Sequence, residues 1–141
     1  MNVLILCTGN SCRSQMAEGF FRHFLYQYLP NENHTVRSAG IETHGVNRKA
    51  VLVMGELGID LSTHSSNNLK EYLNEPFDYV ITVCDNAAEN CPIFPHGEHK
   101  LHWPFEDPAQ ATGTEAEILD QFRKVRDQIG QKVEGWLKRL V

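Results

Sequence analysis

Long apolar runs are the first thing this chain lacks. No uninterrupted stretch exceeds five hydrophobic residues, a length that Val3 to Cys7 reaches. Crossing a bilayer takes roughly 20, so no membrane partner is expected. A basic excess is missing too: 13 Lys and Arg stand against 18 Asp and Glu, a net charge of −5. That balance argues against nucleic acid or an anionic membrane surface as the main partner. Met1-Asn2 leads straight into the apolar run without a basic segment or a small-residue cleavage site, so the expected location is the cytoplasm. Repeats, linkers and low-complexity segments are absent, and so is the Gly-x4-Gly-Lys-Ser/Thr spacing of a nucleotide-binding loop. Cysteine is scarce, with four residues at 7, 12, 84 and 91. In a reducing compartment such thiols are catalytic, redox-active or metal-binding rather than a static framework.

What is present is the composition of an ordinary globular protein, 41% hydrophobic and 22% charged over 141 residues. That length suits one domain, 1–141, with a monomer expected. Asn2 to Leu6 reads as a buried parallel strand, and Ser14 to Leu29 as a helix presenting Ala17, Phe20, Phe21, Phe24 and Tyr28. His34 to Ser38 is a second strand. Asn47 caps a second helix with Ala50, Val51, Met54 and Leu57 on its inner face and Gly58 past its end. Leu69 to Leu73 forms a short helical piece, Phe77 to Val83 a third strand and Lys100 to Trp103 a fourth. Thr114 and Glu117 have capping-box spacing ahead of a helix that carries Ile118, Phe122, Val125, Ile129, Val133, Trp136 and Leu140 to the C-terminus. Strands alternating with helices predict an α/β three-layer sandwich around a four-stranded parallel sheet. Ligands of such sheets bind at the carboxyl ends of strands, which puts the segments after Leu6 and after Val83 on one edge.

Chemistry concentrates in Cys7-Thr8-Gly9-Asn10-Ser11-Cys12-Arg13-Ser14. A thiol opens this strand-to-helix turn, an arginine follows six positions later, and small residues fill the gap. Loop N–H groups and the helix dipole can cradle a tetrahedral oxyanion, and Arg13 adds a planar fork of donors. The same field favours a Cys7 thiolate, a nucleophile at neutral pH. Asn10 and Ser14 are expected to brace the loop by side-chain hydrogen bonds, with Ser14 also able to donate to Cys7. The bland alternative is a small buried cysteine at a strand end.

Cys84 and Cys91 are seven residues apart, with helix-favouring Ala87-Ala88-Glu89 between them. A helix would separate their α-carbons by roughly 10 Å, beyond the roughly 7 Å limit of a disulfide, so a bridge requires the segment to unwind. At this stage three readings stand: a redox pair, two packing residues, or zinc ligands together with His96, His99 or His102.

The loop resembles the signature of the low-molecular-weight tyrosine phosphatases and of the arsenate reductases built on that fold. Cys7 to Gly19, Ser38 to Asn47, Cys84-x6-Cys91-Pro92 and Trp103-Pro104-Phe105-Glu106-Asp107-Pro108-Ala109 follow one another as in the thioredoxin-coupled arsenate reductases. The resemblance implies that Thr8 to Ser14 bind the oxyanion while Cys7 attacks arsenate. Cys84 then attacks the Cys7 sulfur and expels arsenite, Cys91 attacks Cys84, and reduced thioredoxin restores the pair, with no tightly bound cofactor. It implies Asp107, rather than Glu106, as general acid, and no catalytic role for Cys12 beyond an off-pathway bridge to Cys7. Asn10, Glu18 and Ser38 match a potassium site of some relatives; Asn67 stands where those have aspartate, which removes a negative charge and weakens the case for potassium. The competing expectation is a tyrosine phosphatase working through a Cys7 phosphoenzyme. Against it, Ile41-Glu42-Thr43-His44 and Ala109-Gln110 offer no aromatic pair to sandwich a phenyl ring.

Overall fold

The computed structural model describes residues 1–85 and 89–141. Four parallel strands form one sheet in the order β2-β1-β3-β4: β1 Asn2–Cys7, β2 Thr35–Gly40, β3 Tyr79–Thr82 and β4 His99–His102. β1 is central, pairing Val3 with Val36 on one side and Tyr79 on the other. Buried on both faces, it shows the unbroken Val-Leu-Ile-Leu run of such strands. Its alternate side chains divide the core. Val3 and Ile5, with Val36 and Ile81, face the helices α1 (Arg13–Tyr28), α2 (Arg48–Gly55) and α3 (Glu115–Leu140). Leu4 and Leu6, with Ala39 and Val80, face a thinner layer. The 3₁₀ turn Leu69–Tyr72 and the buried rings of Phe77 and Phe94 cover that side.

Helix ends follow the expected side-chain chemistry. The Asn47 side chain accepts from Lys49 and Ala50 N–H, and Thr114 and Glu117 form the reciprocal capping box. Two inner faces differ from expectation. α2 ends at Gly55, so Ala50, Val53 and Met54 are buried while Leu57 is exposed. The first half of α1, from Arg13 to Phe21, is buried all round, because the sheet and the other helices enclose it together. There α1 meets α3 closely: a Cβ at Gly130 would come within 2.8 Å of the Phe20 ring.

Cys84 and Cys91 lie closer together than the two ends of a two-turn helix would. A disulfide joins the two residues, with their α-carbons 5.8 Å apart. Ala87 and Ala88, on which the helical reading leaned, lie outside the described residues. Among the described residues, the Glu89 N–H donates to the Asp85 carbonyl at 2.9 Å.

Candidate active site

Cys7 ends β1, and the turn after it enters α1 through Asn10, whose φ of +48° is the only positive value of a non-glycine residue among the described residues. A left-handed residue costs roughly 1–2 kcal/mol unless its side chain is locally bonded. Asn10 is bonded four times. Its amide donates to Ser14 Oγ at 2.8 Å and to Ser38 Oγ at 3.0 Å, while its Oδ1 accepts from Asn67 N–H at 2.8 Å and Gln15 Nε2 at 3.1 Å. Ser66 Oγ adds a bond to the Asn10 carbonyl at 3.0 Å. From the other wall, the Glu42, His44 and Asn47 N–H groups donate to the Thr8, Gly9 and Ser11 carbonyls at 3.0–3.1 Å. Gly40 lets that wall close in, since a Cβ there would sit 2.5 Å from the Thr8 carbonyl oxygen. Asn10 and Ser14 are fully buried and brace the loop as expected.

The cradle itself opens into a cleft of about 260 Å³ lined by Cys7, Thr8, Gly9, Ser11, Cys12 and Arg13. His44, Ala109 and Gln110 form its rim. The N-terminus of α1 faces it with no side-chain cap at Cys12 and no acid in its first turn, leaving the helix dipole available to an anion.

Arg13 is 97% buried, with Nη1 donating to the Phe105 carbonyl at 3.0 Å. Its charge is met by Glu89, whose carboxylate takes both Nη1 and Nη2, the latter at 2.9 Å. Asp107 Oδ2 lies 3.7 Å from Nη2. Arg13 Nε is buried with no hydrogen-bond partner among the described residues, a donor that an oxyanion entering the cleft would satisfy. Thr8 Oγ1 donates to Glu89 Oε2 at 2.7 Å, and Asp85 N–H donates to Oε1 at 3.0 Å. Burial alone would raise the Glu89 pKa, but the Arg13, Thr8 and Asp85 hydrogen bonds outweigh it and hold the carboxyl down at about 2.

Cys7 differs from the expected neutral-pH thiolate. Burial pushes its pKa up to about 11; Arg13 and the Thr8 N–H pull it down, while Glu89 and Asp107 push it up. In this bridged form the nucleophile is therefore a thiol. Cys12 is likewise free and buried, its pKa pushed up to about 12 by burial and then by Asp107.

Asp107 lines the cleft and is oriented by the Ala109 N–H at 3.0 Å, whereas Glu106 turns away to Gln121 Nε2 at 2.9 Å. Cys84 follows β3, the neighbour of β1, and is completely buried; Cys91 is partly exposed. With both sulfurs in a bridge, neither ligates zinc. The four residues matched to a potassium site do not form one. Glu18 accepts from Ser38 Oγ at 2.5 Å and Arg22 Nε at 2.9 Å, and Asn10 turns donors toward Ser38. The Asn67 side chain turns to Glu71 and Ser65. The donor set does not fit a potassium ion, and Arg22 supplies the positive charge at Glu18.

Sequence reasoning missed Gln15, Ser66 and Glu89. Only Glu89 left a signal, an acidic residue between two cysteines that converge on an arginine loop.

A thiol, an arginine and an aspartate around an anion-shaped loop on a four-stranded parallel sheet define a phosphatase-type cradle. The chain belongs to the low molecular weight phosphotyrosine protein phosphatase family, whose profile matches residues 2–141. Within that class it is similar to arsenate reductases. It is 46% identical to that of Halalkalibacterium halodurans and 47% identical to that of Bacillus subtilis, in each case over 94% of this chain and 91% of the relative. A solved arsenate reductase in the phosphate-binding state superposes with a TM-score of 0.79 at 30% identity. One in the oxidized state gives 0.78 at 31%; each pairing covers 99% of this chain and 98% of the other.

Proposed function

We infer that this chain is an arsenate reductase working through Cys7, Cys84 and Cys91. The carrying observation is that Cys84 and Cys91 are bridged while Cys7 is free, which is the state in which such a relay ends. Arsenate enters the cradle of Thr8 to Ser14, with Arg13 holding two of its oxygens. The Cys7 sulfur attacks arsenic, and Asp107 gives its proton to the departing hydroxide. Cys84 then attacks the Cys7 sulfur. A sulfur–sulfur bond forms, the sulfur–arsenic bond breaks, and its electron pair stays on arsenic, which leaves as arsenite. Cys91 attacks Cys84, returns Cys7 as a thiol and leaves the Cys84–Cys91 disulfide.

Reduction of that disulfide falls to a dithiol protein of the thioredoxin type in the cytoplasm, with no tightly bound cofactor and the enzyme a monomer. Attack should come at Cys91, because Cys84 is sealed while Cys91 borders a cleft of about 370 Å³ with Pro92, Ile93 and Leu101. The deciding experiment is arsenate-dependent NADPH oxidation with thioredoxin and thioredoxin reductase; no oxidation above the arsenate-free rate would sink the reading. Hydrolysis of aryl phosphates is expected to be slow, because no Phe, Tyr or Trp stands among the described residues lining the cleft.

A further inference from the structure

We propose that Glu89 is an intramolecular ligand of the oxyanion site, seated while Cys84 and Cys91 are bridged, so that closing the disulfide also shuts the site to oxyanions. The inference rests on the relay reading above. Its observation is separate: a carboxylate from the redox segment occupies the donors that an oxyanion would use. Two guanidinium nitrogens of Arg13 and the Thr8 hydroxyl all converge on Glu89. Glu89 and Arg13 line the same cleft as Cys7. The contacts span 76 and 81 positions of sequence, so they are a tertiary seat rather than a local turn.

The bridge explains the timing. It draws the α-carbons of Cys84 and Cys91 to 5.8 Å, where a helical segment would hold them roughly 10 Å apart. Glu89 lies two residues before Cys91, so bridge closure and its placement at the cradle are one movement. The seat is also incomplete. A carboxylate has one oxygen fewer than the tripod an arsenate or phosphate presents, and Arg13 Nε is left without a partner among the described residues. Glu89 thus fills the site without matching it, and a released segment yields to a true tetrahedral oxyanion. Its charge beside Cys7 also favours the thiol over the thiolate. The oxidised enzyme is then closed to phosphate and unreactive at Cys7 until its disulfide is reduced. Glu89 is a gating residue and takes no part in bond making.

The test uses inorganic phosphate as an unreactive probe. Its affinity is measured by titration calorimetry for the wild type, Glu89→Gln and Glu89→Asp, each reduced with dithiothreitol and each bridged with diamide, with the 84–91 disulfide confirmed by peptide mapping. Bridged wild type should bind phosphate at least tenfold more weakly than reduced wild type, the penalty expected when an internal ligand fills about nine sites in ten. Bridged Glu89→Gln should bind within about twofold of its reduced form. Glu89→Asp, which keeps the charge on a shorter arm, should fall between. Equal affinities for bridged and reduced wild type overturn the proposal, as does a tenfold gap that persists in Glu89→Gln. Because diamide makes the bridge without arsenate, these outcomes are separable from failure of the relay, which shows instead as no 84–91 disulfide after an arsenate turnover.

Discussion

Cys7 and Cys84 leave the carboxyl ends of adjacent parallel strands, yet the residues after them are held in different ways. The Cys7 loop is fixed by side chains and backbone from α1, β2 and the segment 64–68, with Asn10 alone making four side-chain bonds. Among the described residues, the ties of the segment after Cys84 include the Cys84–Cys91 disulfide and the Glu89 carboxylate, both of which chemistry can undo. The braces of the first region contain no redox-active bond; those of the second include one. An enzyme that must bind a rigid tetrahedral ion and then pass two electrons to it needs both kinds of loop. Neither could do the other's task.

The sharpest test of this division is Cys7→Ser. It should lower arsenate reduction at least a thousandfold, about 4 kcal/mol of barrier, while thermal melting moves little. Retained turnover would mean the fixed loop does not hold the nucleophile. Next is Asn10→Ala, which strands buried partners and leaves an alanine at positive φ; about 3 kcal/mol of stability should go, seen as a melting point lower by roughly 10 °C. A drop of a degree or two would mean that the fixed loop is not fixed by Asn10.

Acid sharpens the other side. The Glu89 carboxyl is held at about 2, against an ordinary value of 4.5, so the bridged form gains stability that is complete above about 4.5 and fades as pH falls toward 2. At neutral pH the gain should be on the order of 2 kcal/mol relative to Glu89→Gln. Melting both bridged proteins at pH 7, 4 and 2.5 should show the gap closing; a constant gap would mean that the carboxylate charge is not what seats the segment. The smallest expected effect is Arg13→Lys. It keeps the charge but loses the fork, and should lower kcat/KM about tenfold, near 1.4 kcal/mol. Unchanged kinetics would remove Arg13 from oxyanion binding.

Features written in local spacing were legible in the chain. The Thr114/Glu117 box, the Asn47 cap, the apolar run of β1 and the Cys7-x5-Arg13 turn each declare themselves within a few residues, and each is where its pattern puts it. The resemblance picks Asp107 over Glu106, and Asp107 lines the cleft. What escaped depends on distant parts of the chain. The thiol state of Cys7 follows from burial and from Glu89, which lies 82 positions away along the numbering of the chain. Gln15 and Ser66 brace Asn10 through contacts that no periodicity encodes. Leu57 sits on the expected helical stripe, but α2 stops before reaching it.

The hub at Asn10 also bears on how the chain folds. Its partners lie 4, 5, 28 and 57 positions away, so the cradle closes only after β2 and the segment near Asn67 have docked. Contacts of such separation form late, once the intervening chain has lost its freedom. A refolding molecule therefore exposes Cys7 as a bare thiol beside three others before it owns an anion site. Phosphate, by binding the finished loop alone, should pull the last step forward. The residue that makes the site rigid is thus the one that makes its assembly slow.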